Sequence, residues 1–324
     1  MSGPGFGDLA AERLRRETDL DRISALLNWG PLSYRLEKHC RKEEGRPPFP
    51  PLTMFKALLL AQWYGLSDRE LEEALCDRLS FRRFAGLGME HATPDHTTLC
   101  RFRERLNVAG LGGKLLALVN AQLDAKGLML KRGTLIDATV VEAAAAMPGA
   151  DAVGRPRVDP DAAFLARAGK SGLSYGYKAH VAVDEGSLLV RSAKLTPANV
   201  AETVVADELI LDTRDGGAVY ADKAYDTHAR RALIAALGRA DGIMHRPNKH
   251  HALTAAQTTR NALLSKVRGR VETIFAVLKR VYGYRRTRYV GLMRNQLQLT
   301  LLAICFNLRR MLVLAHTARS PSAA

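Results

Sequence analysis

Between Gly127 and Gly133 the hydrophobic pattern of the chain changes period, and that change constrains the fold more than any other feature. From about residue 20 to 125 apolar residues recur at helical spacing, which predicts a set of packed helices. Leu52–Tyr64 follows a proline-rich entry (Pro47, Pro48, Pro50, Pro51) and stops at Gly65. Ser67-Asp-Arg-Glu70 has the spacing of a capping box and predicts a helix running to about Cys76. Thr93 is placed to cap a further helix with Pro94 at its first position, burying Leu99, Phe102 and Leu106. Arg101 and Arg105, four residues apart, lie on another face of that helix near Thr98.

After the break the β-branched run Thr134–Val141 predicts a strand buried on both faces. Residues 143–172 read as a loop or insertion. Tyr177–Val183 and Leu188–Lys194 predict a hairpin turning at Asp184–Ser187. A helix over Asn199–Leu211, a strand over Ala218–Asp222, a helix near Thr227–Leu237 and a strand over Gly242–Arg246 follow. One long helix is expected over about Thr258–Val281. The order of three strands, helix, strand, helix, strand, helix matches a ribonuclease-H-like α/β fold, a mixed sheet flanked by helices. The expected organisation is a flexible N-terminus (1–20), a helical domain (21–128), a ribonuclease-H-like domain (129–316) and a disordered tail (317–324). A chain of 324 residues is long for a single core, which agrees with more than one module.

Charge is unevenly placed. From Gly242 onward there are fifteen basic residues and one acid, Glu272, so this C-terminal segment carries +14 and the remainder only +1. Such a surface suggests a polyanion, nucleic acid above all, because neutralising phosphates releases counterions. A solvated basic face is the plain alternative. The helix bearing Arg101 and Arg105 follows other short helices, as in a helix-turn-helix, so both are candidate DNA contacts; solvated arginines on a packing helix are the alternative. Cys40, Cys76, Cys100 and Cys305 have no zinc-site spacing and read as reduced thiols of a cytoplasmic protein. No apolar signal segment is visible at the N-terminus, and Leu299–Phe306 is shorter than a membrane span, so no membrane partner is expected.

Three carboxylates then stand out. Asp137 lies mid-strand between apolar neighbours, where an unpaired carboxylate is costly. Asp222 ends a different apolar strand, and Glu272 is the one acid of the basic C-terminal segment. Each has a separate explanation as an ion pair or cap, with Arg268 the obvious partner for Glu272. Together they suit two-metal phosphoryl chemistry, which needs hard oxygen ligands converging from separate elements. Arg268 and Lys279 fall on the face of Glu272 in the expected long helix.

These segments resemble the insertion-sequence DDE transposases of the insertion sequence 5 type, related to the insertion sequence 4 group. Arg268, Glu272 and Lys279 match that family's Arg-x₃-Glu-x₆-Lys signature, with Ser265 where the family usually has a Tyr. Leu135–Glu142 resembles its first-Asp strand and Tyr220–Asp226 its second-Asp segment. Gly176–His180 and Thr196–Asn199 resemble the hairpin and helix entry between them. Pro51–Leu60, Tyr64–Glu73 and Pro94–Thr98 resemble its N-terminal domain.

The resemblance implies that Asp137, Asp222 and Glu272 are catalytic and hold two Mg²⁺ ions, with Mn²⁺ able to substitute. It implies that Arg268 and Lys279 contact phosphates at the transposon end. It further implies a homodimer that binds terminal inverted repeats, hydrolyses the strand at each end and joins the 3′-OH to target DNA in a bacterial cytoplasm, at the nucleoid. Two rivals stay open: a DNA-binding protein without catalysis, and a cellular ribonuclease-H-like nuclease that cuts structured DNA without joining ends.

Overall fold

The structure, a computed structural model, describes residues 16–40, 49–149, 158–166, 173–213, 217–247 and 252–319. Most of the segments expected to be flexible, 1–20 and 317–324, lie outside these residues. Contacts divide the chain into two compact units: residues up to Gln122 together with those from Leu308 on, and Leu123–Asn307.

The first unit is helical: α1 (Asp19–Leu26), α2 (Gly30–Cys40), α3 (Pro51–Tyr64), α4 (Asp68–Asp77), α5 (Leu79–Ala85), α6 (His96–Val108) and most of α7 (Gly112–Ala125). α3 is apolar around its circumference because it runs through the core; Met54, Phe55, Leu58, Leu59 and Trp63 are all buried. It ends where Gly65 turns left-handed, and the capping box at Ser67 starts α4. The start of α6 differs from the expected Thr93–Pro94 cap. Asp95 caps instead, its carboxylate accepting from the Thr98 N–H at 2.6 Å and the Thr97 hydroxyl at 2.7 Å. A carboxylate outcompetes a hydroxyl for amides at the positive end of a helix. Arg103 on α6 grips Asp68 of α4 through two bonds of 2.7 Å, tying the two helices by their inner faces.

The second unit is built on a six-stranded mixed sheet: β1 (Gly133–Glu142), β2 (Ala163–Ala166), β3 (Leu173–Asp184), β4 (Val190–Pro197), β5 (Ala218–Ala221) and β6 (Asp241–Ile243). β3 pairs antiparallel with β1 on one side, and with β4 and then β2 on the other. β1 pairs parallel with β5, and β5 with β6. α8 (Glu202–Asp212) and α9 (His228–Ala236) make the crossovers. A cluster of Ile136, Ala182, Val205, Leu209, Val219, Tyr225 and Ile234 joins α8 to the sheet.

Several expectations are corrected. The segment read as a loop contains a strand, β2, whose four residues are too few for a periodicity to show. β1 is not buried throughout: Gly133–Ile136 and Val141 are buried, Asp137–Val140 are half-buried and Glu142 is exposed. The expected long helix is two helices, α10 (Ala255–Arg268) and α11 (Val271–Arg280), separated at Gly269 and Arg270. Glycine has weak helix propensity, and the Arg270 side chain is drawn aside to Glu185.

The apolar run near the C-terminus belongs to a much longer helix, α12 (Leu292–Arg319). Its stretch Leu292–Thr317 is long and apolar enough to cross a membrane, but its most apolar part is mostly buried inside the protein. Two amides on α12 hold the outer edge of β4. Gln296 accepts from the Leu195 N–H at 2.6 Å and donates to the Ala193 carbonyl at 3.0 Å. Asn307 does the same for both backbone groups of Val190, each at 2.8 Å.

Candidate active site

The parallel register sets Gly133, Thr134 and Leu135 of β1 beside Ala218, Val219 and Tyr220 of β5. Continued two residues, the register brings Asp137 level with Asp222, and the charge of Asp222 acts on the Asp137 carboxyl. β5 stops at Ala221, so from this level β1 loses its neighbour. Pairing resumes only at Glu142, whose N–H donates to the Arg285 carbonyl and whose carbonyl accepts from Thr287. Ala138 and Val140 share the parity of Glu142 and present their backbone groups to the same open flank. A notch is thereby left in the sheet beside β1.

Side chains fill the notch where a strand would be. The Asp137 carboxylate accepts from the Ala138 N–H at 2.8 Å. Lys279 of α11 donates to the Val140 carbonyl at 2.9 Å and to the Thr139 hydroxyl at 2.6 Å. Arg268 of α10 donates to the other Asp137 oxygen at 2.8 Å and stands 3.8 Å from Glu272. Asp222 caps the following short 3₁₀ turn (Lys223–Tyr225) by accepting from the Ala224 N–H at 2.5 Å.

Burial pushes the Asp137 carboxyl up to about 6; the Ala138 N–H and Arg268 oppose that rise, while the negative charges of Glu202 and Asp222 add to it. Behind the notch Tyr225 is buried, and its hydroxyl has no hydrogen-bond partner among the described residues. Burial, with the charges of Glu202, Asp137 and Asp222, holds this phenol protonated far above its ordinary range. Burial next to Lys178 likewise keeps His180 neutral, its pKa lowered to about 4, and its Nε2 lies 2.9 Å from the Thr196 hydroxyl.

Asp137, Asp222, Arg268 and Lys279 therefore meet at one opening. Glu272, in the first turn of α11, is linked to it through Arg268 while its side chain remains 70% exposed. Among the described residues no three His, Cys, Asp or Glu side chains lie close enough to hold an ion as they stand. The donor set nevertheless fits a hard divalent cation: oxygen ligands only, a carboxyl raised by burial and, less, by its acidic neighbours, and a buried hydroxyl with no partner among the described residues. Arg268 supplies the positive charge that Asp137 requires. Arg101 and Arg105 belong to the helical unit, where they line a cavity of about 930 Å³ with Thr98, Asp95, Met54 and Leu87. Glu202 and Tyr225 were not singled out from sequence; Glu202 sits in an ordinary helix entry, and only the fold brings it to this place.

Residues 129–308 match the family described as "Transposase DDE domain". The chain belongs to the DDE transposase family. Residues 9–105 also match a "Transposase domain (DUF772)". Transposases with DDE domains normally act on DNA with divalent metal ions, which agrees with the donor set at the notch. Two solved structures are similar at low identity. One is the piggyBac transposase synaptic complex with hairpin DNA, at 11% identity and TM-score 0.49, covering 96% of this chain and 78% of that one. The other is the Mos1 transposase paired-end complex with left transposon end, at 11% identity and TM-score 0.22, covering 85% and 97%. The transposase assignment rests on the family match.

Proposed function

We propose that this transposase is of the insertion sequence 5 type, related to the insertion sequence 4 group, and moves its own element. It binds the terminal inverted repeats, hydrolyses DNA strands at the ends and joins each 3′-OH to target DNA. The observation that carries this reading is the register setting Asp137 beside Asp222 at an open notch, with Glu272 held within reach through Arg268. Asp137, Asp222 and Glu272 are the catalytic carboxylates and would hold two Mg²⁺ ions, or Mn²⁺ in their place. When bound, the ions supply the charge that activates water or a 3′-OH and stabilises the leaving 3′-oxygen.

The side chains prepare that chemistry. Asp137 is fixed by β1 and Asp222 by the 3₁₀ turn that it caps after β5, and Glu272 swings in from α11. Arg268 balances Asp137 in the absence of a cation and, with Lys279, faces the phosphates of the transposon end. The helical domain (21–128) binds DNA through Arg101 and Arg105, the catalytic domain spans 129–316, and two copies assemble as a homodimer in the synaptic complex. This takes place in the bacterial cytoplasm, on nucleoid DNA.

The test is Mg²⁺-dependent cleavage of DNA bearing the element's ends. Asp137→Asn, Asp222→Asn and Glu272→Gln are each expected to reduce cleavage to background while end binding, read by gel shift, persists. Retained cleavage in one variant removes that residue from the set. Wild-type protein that binds ends without cleaving them overturns the enzyme reading.

A further inference from the structure

Glu202 opens α8, on the opposite side of the notch from α10 and α11. α8 packs against β1 and against the 3₁₀ turn that follows Asp222, so its first turn overlooks the place where β5 stops. The Glu202 side chain is 30% exposed, and its carboxylate is 3.7 Å from the ammonium of Lys178. Lys178 is buried and anchored by a 2.9 Å bond to the Val200 carbonyl, so Glu202 leans on a fixed cation without a hydrogen bond to it. It also lies near enough to Asp137 and to the Tyr225 hydroxyl for its charge to act on both. Tyr225 is 1% exposed, its hydroxyl has no hydrogen-bond partner among the described residues, and the charges of Glu202, Asp137 and Asp222 all act on it. A buried hydroxyl left unpaired calls for a partner such as a water or an ion, and these carboxylates are the charged groups that act on it.

We propose that Glu202 is a fourth carboxylate of the notch, holding a divalent cation together with Asp137 and Asp222, with Lys178 restraining it until the cation binds. This rests on the reading that Asp137 and Asp222 hold metal. It assigns two sides to the site: α8 delivers an acid over one lip of the notch and α11 delivers Glu272 over the other. Hard cations gain affinity with each added carboxylate oxygen, so loss of Glu202 weakens binding even without DNA.

The probe is Mn²⁺ alone, titrated into the full-length protein without DNA and followed by the electron paramagnetic resonance of free Mn²⁺. Circular dichroism melts are run on every variant. Glu202→Gln is expected to weaken Mn²⁺ binding about tenfold, and Glu202→Asp, which keeps the charge at the start of α8 but withdraws the oxygens, about threefold. Lys178→Met is expected to leave affinity equal or tighter. If Asp137→Asn weakens binding and both Glu202 variants bind like wild type, Glu202 serves only α8 and the proposal is overturned while the metal reading stands. If Asp137→Asn also binds like wild type, the metal reading fails and takes this proposal with it.

Discussion

Arg268 neutralises one proposed ligand directly and stands 3.8 Å from another. Removing it leaves the half-buried Asp137 beside the charges of Glu202 and Asp222 without its ion-pair partner. Arg268→Met is therefore expected to destabilise the metal-free protein by about 1–3 kcal/mol, read as a lower melting temperature. Added Mn²⁺ should recover most of that loss; a variant that melts like wild type would show that the ion pair contributes nothing. In the helical unit, Asp21 shows a simpler linkage. Burial raises its pKa, but the Arg83 hydrogen bond at 3.1 Å and the Thr18 bonds outweigh it and hold the carboxyl down at about 2. A depressed folded pKa stabilises above the unfolded value and is lost as pH falls through the folded one. Between about pH 4 and pH 2 the protein should thus lose about 1–2 kcal/mol through this residue after solvent screening. Asp21→Asn should lack that part of the acid dependence in denaturant titrations at pH 2, 3, 4 and 7.

At the scale of elements, the notch depends on β1 and β3 meeting closely at its far end. A Cβ placed on Gly176 would lie 2.2 Å from the Val141 carbonyl and 2.7 Å from the Ala143 nitrogen. The first is a backbone atom of β1, which bears Asp137, and the second belongs to the residue just after it, so neither yields cheaply. Gly176→Ala is expected to cost about 1–3 kcal/mol and to impair cleavage more than DNA binding, as seen by melting and by end-cleavage assays. Much of this layer was legible in the sequence. α3, α4, the β3–β4 hairpin and β1 carry strong periodicity and good caps, and the structure has them within a few residues. The α10–α11 break was not legible, because apolar spacing continues across Gly269 while Arg270 is pulled away by Glu185, a residue distant in sequence. The Asp137–Asp222 pairing could be anticipated from two apolar strands each bearing an acid. Glu202 could not, since its place beside them depends on where β5 ends rather than on its own neighbours.

Across the whole molecule, the +14 of the segment from Gly242 onward is less free than its sum suggests. Arg260 donates to the Asp241 and Ile243 carbonyls, Arg268 to Asp137, Arg270 to Glu185 and Lys279 to β1. Part of this charge stabilises the sheet unit, so the helical unit should carry a measurable share of DNA binding. Arg101→Ala with Arg105→Ala is expected to reduce the slope of log affinity against log salt by about 2. An unchanged slope would take that helix off the DNA.

The amides of Gln296 and Asn307 bear on a different property, colloidal behaviour. An uncovered strand edge is a template on which another chain can add a strand, and β4 would otherwise offer one. Because two side chains imitate a neighbouring backbone there, self-association by sheet extension is denied on that side, and any pairing of copies must use other surfaces. Gln296→Leu with Asn307→Leu would uncover the edge. Concentrated solutions of that variant should scatter light increasingly with time, while the native chain stays clear.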